Sequence, residues 1–242
     1  VLRGLPFCAP LAPYTTLSNP LLFGLGASHY DFVREGKLVI GICNGFQVLV
    51  KLGILPLFND DFEQEVTLTH NDSGRFEDRW VHLATDPTTV CVWLRGIRHI
   101  ELPIRHGEGK FIARDDAVMQ RLAAGGHIAL RYALPDGNAA AGQYPQNPNG
   151  SVDDIAGICD PSGRIFGLMP HPEAFLEGTN HPRWTREGLL PEGAGLSIFR
   201  NAVAFAAEQF LGQHARRQFA GNGSANASGS ILQAFVMYEI AW

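Results

Sequence analysis

Residues 38–52 combine a short apolar run, a glycine-rich turn and apolar residues at helical spacing. The run LVI at 38–40 predicts a buried strand, and FQVLVKL at 46–52 places its apolar side chains on one face of a helix. The turn between them reads Gly-x-Cys-x-Gly, from Gly41 to Gly45. The pattern therefore predicts a strand, a tight turn and a helix, with a cysteine at the turn.

The rest of the chain shows short strand patterns and few helical ones. Apolar runs and period-two alternation predict strands over residues 65–69, 79–83, 90–94, 128–132, 155–159 and 165–169. Helical spacing predicts helices over residues 116–124 and 196–211, the first with Asp115 or Asp116 as its N-cap. This mixture predicts an α/β domain with some antiparallel additions.

The sequence divides into three segments that differ in composition and in the structure they predict. Residues 1–36 contain four prolines that break any long element, so we expect an irregular N-terminal segment. Residues 37–211 form the predicted domain. Residues 212–242 include a stretch at 220–230 that is rich in Gly, Ser, Asn and Ala, so we expect a flexible linker and an atypical tail.

Composition narrows the class of protein. The chain has 242 residues, 45% of them hydrophobic, and a net charge of -5, which suits a globular domain and argues against a general nucleic-acid surface. No apolar stretch is long enough to span a membrane, and no signal peptide is apparent. The four cysteines are scattered, and the histidines lack metal-site spacing. We therefore expect a reduced, cytoplasmic protein without a metal site.

Cys43 is the leading candidate for a nucleophile. Glycines on both sides allow a tight backbone, and the sulfur would lie near a helix N-terminus, whose partial positive charge favours a thiolate. The alternative is a packing residue at a strand end, because free cysteines are often buried in cores.

The apolar run at 165–169 leads into the sequence His171-Pro172-Glu173. In an extended segment, residues two apart project to the same side, so the carboxylate of Glu173 could orient the imidazole of His171. A thiol, an imidazole and an orienting acid are the parts of a Cys-His-acid triad. The sequence therefore predicts a nucleophile, a base and an acid, in that chain order.

Several motifs together resemble a known family. GICNGFQ at 41–47 with MPHPE at 169–173 is similar to the class I, or triad, glutamine amidotransferases. NDSGRFEDRW at 71–80, HGEG at 106–109, LRY at 130–132 and YPQNPNGS at 144–151 resemble the glutaminase components of phosphoribosylformylglycinamidine synthases. The resemblance runs from about residue 36 to about residue 211.

The resemblance implies a fold and a reaction. The fold would be a flavodoxin-like three-layer α/β/α sandwich. Cys43 would attack the side-chain amide of glutamine to form a thioester, His171 would move the protons, and Glu173 would hold His171. Water would then release glutamate.

The resemblance also implies partners. The ammonia would pass to a synthetase subunit, which uses ATP to convert formylglycinamide ribonucleotide to the amidine in purine biosynthesis. A small third subunit could bridge the two. ATP and Mg²⁺ would belong to the synthetase, so we expect no cofactor in this chain, and no nucleic-acid or membrane partner.

Further residues are implied by the match to the family. The backbone N–H of Asn44 would donate to the oxyanion, and Gln47 would help to hold substrate, with an exposed helix residue as the alternative. His106 and Glu108 could reach the site, shape the loop or contact the partner. The remaining candidates match a family segment beside the glutamine site: Asn71, Ser73, Arg75 and Phe76. Arg75 would pair with the substrate carboxylate, or with Glu77 in a weak surface pair.

The front of the chain departs from the family pattern. Fewer residues precede Cys43 than in family members, and the Gly-Gly-Phe loop that completes the oxyanion hole is not found, since residues 23–26 (FGLG) match it poorly. The resemblance therefore implies a domain lacking part of its N-terminal unit, with impaired hydrolysis or stability.

Two other hypotheses stay open. One is a catalytically impaired partner subunit that keeps only its interface. The other is a different Cys-His-acid hydrolase, such as a peptidase, although the segments at 71–80 and 144–151 weigh against it.

Overall fold

A mixed β-sheet flanked by helices forms the centre of the protein. The computed structural model describes residues 30–59, 61–219 and 235–238, with side chains described up to residue 209. The strands are β1 (Leu38–Ile42), β2 (Val66–His70), β3 (Glu77–Thr85), β4 (His99–His106), β5 (Glu108–Ala113), β6 (Ile128–Ala133), β7 (Ile155–Cys159), β8 (Ile165–Leu168) and β9 (Phe235–Tyr238). Besides a helical segment at residues 30–34, the α-helices of the described residues are α1 (Asn44–Lys51), α2 (Asp116–Ala124), α3 (Trp184–Glu187) and α4 (Leu196–Phe219).

Seven strands form the main sheet in the order β4-β3-β6-β7-β8-β1-β9. β1 is parallel to both β8 and β9, whereas the other neighbours are antiparallel. It follows that β1, β4, β6 and β8 run in one direction and end at a common edge, which we call the C-terminal edge. β2 and β5 form a separate antiparallel pair. The predicted α/β class is confirmed.

The C-terminal edge brings distant parts of the chain together. Cys43 directly follows β1, His106 ends β4, and residues 169–173 follow β8. The loop at 71–76 leads into β3, and the long connection at 134–154 leaves β6 at the same edge. Ligands commonly bind at the carboxyl ends of strands in α/β sheets, so this edge is where a site is expected.

The turn at Cys43 is as tight as the glycines predicted. Cys43 has φ 52° and ψ -105°, a conformation that an ordinary side chain rarely adopts and that costs about 1–3 kcal/mol. A Cβ on Gly41 would lie 2.8 Å from the carbonyl carbon of Gly45, so only glycine fits there. The N–H of Cys43 donates to the carbonyl of Leu168 at 2.8 Å, which fixes the turn against β8.

Helix α1 packs on the sheet through its predicted apolar face. Phe46, Leu49 and Val50 are buried, and a Cβ on Gly167 of β8 would lie 2.1 Å from the Phe46 ring. The glycine in β8 therefore makes room for the first turn of α1, directly beneath the nucleophile candidate.

Some predicted elements differ from the structure. Residues 90–94 were predicted as a strand, but Val92–Leu94 forms a 3-10 turn whose three side chains are buried. Residues 30–34, within the segment expected to be irregular, are helical, and most of that segment (1–29) lies outside the described residues. The N-cap at Asp115 is confirmed, because its carboxylate accepts the N–H of Val118 at 2.9 Å.

The predicted tail also contains regular structure. Helix α4 continues past residue 211 to Phe219, and β9 pairs in parallel with β1, with Val236 opposite Val39. The predicted linker at 220–230 lies outside the described residues.

Candidate active site

The three predicted triad residues meet at the C-terminal edge. Nδ1 of His171 lies 2.5 Å from Oε1 of Glu173, and both side chains are largely buried. Cys43 lies near enough to the imidazole of His171 to affect its pKa, and within the described residues Nε2 of His171 makes no hydrogen bond. Cys43 Sγ also lies 3.8 Å from the carbonyl oxygen of Arg105. The arrangement suits a nucleophile, a proton carrier and an orienting acid.

The local route from His171 to Glu173 differs from the prediction. We expected an extended segment, but Pro172–Ala174 forms a 3-10 turn that begins directly after His171. The N–H of His171 donates to the carbonyl of Pro103 in β4 at 2.8 Å, so the segment crosses from β8 to the far strand of the sheet. The turn still brings the two side chains together, because it folds the carboxylate back onto the ring.

The proton affinity of His171 follows from its neighbours. Burial alone would lower its pKa, but the Cys43 thiol and the Glu173 carboxylate outweigh burial and raise the pKa of His171 from 6.5 to about 9. The imidazole is therefore protonated at neutral pH, with Nδ1 bonded to the carboxylate.

We expect this protonation to make folding stability depend on pH. The raised pKa of His171 contributes stability that is fully present below about pH 6.5 and is lost as pH rises through about 9. The loss should be on the order of 3 kcal/mol, the equivalent of the shift in pKa. Urea unfolding at pH 6.5 and 9.5 measures it. In His171→Gln, which cannot titrate at this position, the free energy of unfolding should fall between the two pH values by about 3 kcal/mol less than in the parent protein. An equal fall in both proteins would contradict the raised pKa of His171.

A buried asparagine connects β4 to the loop at 71–76. Asn71 is 3% exposed, and its Nδ2 donates to the carbonyls of Arg75 at 2.9 Å and His106 at 2.8 Å. Its Oδ1 accepts the N–H of Gly109 and faces Nδ1 of His106, each at 3.1 Å. Asn71 thus uses its whole amide on the protein. Its predicted contact with substrate stays a prediction, and the structure shows it as a framework residue.

His106 is buried beside His171. Burial and the nearby His171 lower the pKa of His106 from 6.5 to about 4, so its ring is neutral at pH 7. The sequence analysis left its role open. A period-two pattern could have shown that it points inward, because Leu102 and Ile104 on the same strand are also buried.

A second buried network supports the floor of the site. Nδ2 of Asn149 donates to the hydroxyl of Tyr132 at 3.0 Å and to the carbonyl of Gly109 at 2.8 Å. Burial raises the pKa of Tyr132, and proximity to Cys43 raises it further. The YPQNPNGS segment is therefore bonded through Asn149 to Tyr132 of β6 and to the turn at Gly109, a placement that the sequence alone did not reveal.

A polar cavity of about 430 Å³ opens beside this framework. The loop at 71–76 lines it with Asp72, Ser73 and Arg75, and the connection at 134–154 lines it with residues that include Tyr144, Asn147 and Gly150. Asp72 is paired with Lys110 at 2.6 Å. Within the described residues the guanidinium of Arg75 has no ion pair, so its predicted pair with Glu77 does not form; Glu77 pairs with Arg79 instead.

The other predicted contacts occupy different positions. Gln47 donates from Nε2 to the carbonyl of Glu108 at 2.8 Å, so it is not a free surface residue. Asn44 begins α1 directly after the nucleophile candidate. Phe76 is 67% exposed. Residues 23–26, which match the oxyanion loop of the family only poorly, lie outside the described residues.

The described residues contain neither a membrane-spanning helix nor a cluster of metal-binding side chains. No helix among them is both long and apolar enough to cross a membrane. In the same part of the chain, no group of three or more His, Cys, Asp or Glu side chains is arranged to hold a metal ion.

Comparisons with known proteins agree on one family. Residues 25–206 match the model of the CobB/CobQ-like glutamine amidotransferase domain. The chain is 50% identical over 190 residues to a phosphoribosylformylglycinamidine synthase subunit PurQ of Dehalococcoides mccartyi, covering 78% of this chain and 72% of that one. It is 43% identical over 186 residues to the subunit PurQ of Methanococcus maripaludis strain S2, covering 72% and 68%.

A solved structure shows the same fold. A chain of PurLQS from Thermotoga maritima is 28% identical and superposes with a TM-score of 0.53, covering 79% of this chain and 74% of that one. The flavodoxin-like fold expected from the resemblance is confirmed.

Proposed function

The chain belongs to the family of CobB/CobQ-like glutamine amidotransferase domains, and on that premise we propose that it is the glutaminase component of a phosphoribosylformylglycinamidine synthase. It hydrolyses glutamine to glutamate and ammonia. The observation that carries the proposal is the 2.5 Å contact between His171 Nδ1 and Glu173 Oε1, with the imidazole facing a cysteine on a strained turn.

The first half of the reaction makes a thioester. The sulfur of Cys43 reacts as a thiolate, because its thiol proton is the one that Nε2 of His171 carries. It attacks the carboxamide carbon of glutamine, and a C–S bond forms as the C=O electrons move to oxygen. Because His171 is protonated at neutral pH, it can give its Nε2 proton to the leaving nitrogen. The C–N bond then breaks, ammonia leaves, and the neutral imidazole stays bonded to Glu173 through Nδ1.

The second half reverses the roles. Neutral His171 takes a proton from water, and the oxygen attacks the thioester carbon. The C–S bond breaks, glutamate leaves, and the proton on His171 restores the starting state. Glu173 stabilises the imidazolium in each half, as the third member of a triad does.

The oxyanion needs backbone donors near the sulfur. The N–H of Cys43 is bonded to the carbonyl of Leu168 and cannot serve. The N–H of Asn44 follows at the start of α1, where the helix also favours negative charge. Asn44 is therefore the proposed donor.

Substrate binding would draw on the cavity that Ser73 and Arg75 line. Arg75, which has no ion pair within the described residues, and Ser73 would bind a carboxylate of glutamine, since a guanidinium and a hydroxyl are both donors. Gln47, held against Glu108, would support the same substrate from α1. Asn71 would act through the loop that it fixes, and Phe76 stays a candidate contact.

The ammonia would pass to a synthetase partner. Ammonia is mostly protonated in neutral water and then is not a nucleophile, so direct transfer between subunits preserves it. The proposed partner is the synthetase subunit of the same enzyme, with ATP and Mg²⁺ held there, and a small bridging subunit could complete the complex. The solved relative from Thermotoga maritima carries the name PurLQS.

A covalent probe tests the hydrolysis. A diazoketone analogue of glutamine, incubated with the chain in complex with its synthetase, should add one equivalent to Cys43 by peptide mass spectrometry. Glutamine should protect Cys43, and Cys91→Ala should be labelled normally, because Cys91 is a buried core residue. Protection by peptides instead of glutamine would favour a peptidase, and absence of labelling would reject the proposed activity.

A further inference from the structure

Unsatisfied polar atoms cluster at the candidate site. Among the described residues, six buried side-chain nitrogen or oxygen atoms have no hydrogen-bond partner, and three of them belong to His106, His171 and Glu173. Buried polar atoms are nearly always satisfied, so such a cluster indicates groups that a ligand satisfies. The proposed hydrolysis uses His171 and Glu173, but it does not use Nε2 of His106.

The hydrogen bonds of Asn71 decide which nitrogen of His106 carries the proton. Nδ2 of Asn71 faces two backbone carbonyls, which only accept, so the amide orientation is fixed. Oδ1 of Asn71 must then accept, both from the N–H of Gly109 and from Nδ1 of His106. Nδ1 therefore carries the hydrogen of the neutral ring, and Nε2 presents a bare lone pair.

The ring is held close to the reacting groups. The peptide group that joins Arg105 to His106 carries the carbonyl oxygen found 3.8 Å from Cys43 Sγ. His171 is near enough to lower the pKa of His106. A Cβ on Gly109 would lie 2.5 Å from Cε1 and 2.9 Å from Nε2 of the ring, so the glycine lets the ring pack against the backbone. His106 is 3% exposed and cannot satisfy Nε2 with bulk water.

We propose that Nε2 of His106 accepts a hydrogen bond from the N–H of the glutamine carboxamide, an inference that rests on the proposed hydrolysis. The carboxamide offers one acceptor oxygen, which faces the oxyanion donors, and an NH₂ group with two donors. A fixed acceptor beside the nucleophile orients the carboxamide so that the nitrogen, not the oxygen, faces His106.

The same lone pair distinguishes substrate from product. Glutamate has a second carboxylate oxygen where glutamine has NH₂, and that oxygen only accepts. Two lone pairs would then face each other in a buried site. A site built to bind a substrate N–H rejects an analogue that lacks it, because its buried acceptor is left unpaired. His106 therefore favours glutamine over glutamate and assists product release.

A substitution can remove the acceptor and keep the framework. In His106→Asn, the side-chain NH₂ takes the place of Nδ1 and can still donate to Oδ1 of Asn71, but no atom replaces Nε2. Binding of glutamine and of glutamate should be measured by calorimetry on the Cys43→Ala complex with the synthetase, where no hydrolysis occurs. We expect glutamine affinity to fall about tenfold with glutamate affinity unchanged or higher, so the ratio of the two falls by the same factor or more.

Two further variants separate binding from folding. Gly109→Ala displaces the ring without changing it and should lower the same ratio. Ile104→Val, buried on the same strand, should lower stability and leave the ratio unchanged. If His106→Asn and Gly109→Ala weaken both ligands equally, or neither, His106 has only a structural role and the inference fails. If the parent complex binds no glutamine, the proposed function itself fails.

Discussion

Replacing Cys43 by alanine should lower glutamine-dependent amidine synthesis by the complex about 10⁴-fold or more, to background. Removal of a nucleophile that works with a base and an orienting acid costs about as much as removal of the whole set. The substitution removes only the sulfur, on a turn whose backbone is fixed by the bond from its N–H to Leu168. The folded domain and its docking surface should therefore persist.

Ammonium salts provide the matched measurement. If this chain only supplies ammonia, the Cys43→Ala complex should still make the amidine from added ammonia at alkaline pH, at the rate of the parent complex. Cys91→Ala, which changes a buried cysteine away from the triad, should keep both activities within a few-fold. Equal glutamine-dependent rates for the parent and Cys43→Ala would instead support the hypothesis of a non-catalytic partner subunit.

The sequence predicted the part of the site that depends on local rules. Glycine at 41 is required by the close approach of residue 45, and apolar spacing placed α1 correctly. The pairing of His171 with Glu173 was also expected, but through an extended spacer where the chain forms a 3-10 turn. Two residues of separation allow both geometries. The chain adopts the 3-10 turn, and in that geometry the N–H of His171 donates a hydrogen bond to the carbonyl of Pro103, a residue distant in the sequence.

The rest of the site depends on long-range pairing that periodicity does not encode. Asn71 and Asn149 lie in polar loops, where a sequence predicts exposure, yet both are buried because each satisfies backbone groups of the turn at Gly109. The role of β9 was likewise hidden, since a short apolar tail can pair with any free strand edge and here pairs with β1. Local spacing therefore identified the reacting groups, and only the fold identified what holds them.

Glu173→Gln should lower kcat for glutamine hydrolysis about 10⁴-fold, the loss seen when the orienting acid of a triad is replaced by its amide. The amide keeps the size of the side chain but no longer stabilises the imidazolium. The pKa of His171, raised to about 9 in part by this carboxylate, should fall, because burial then acts with less opposition. At neutral pH, His171 is consequently protonated in a smaller fraction of the molecules, so fewer of them can protonate the leaving nitrogen.

The dependence of kcat on pH distinguishes this role from a structural one. In Glu173→Gln the alkaline limb of the profile should move to lower pH, while the unfolding midpoint changes little at pH values where His171 is neutral in both proteins. Glu208→Gln, which removes the charge of an exposed glutamate paired with Arg95 at 3.0 Å, should change neither rate nor profile. A profile of unchanged shape with a uniformly lower rate would mean that Glu173 positions the ring without setting its charge, because only loss of the imidazolium moves the limb.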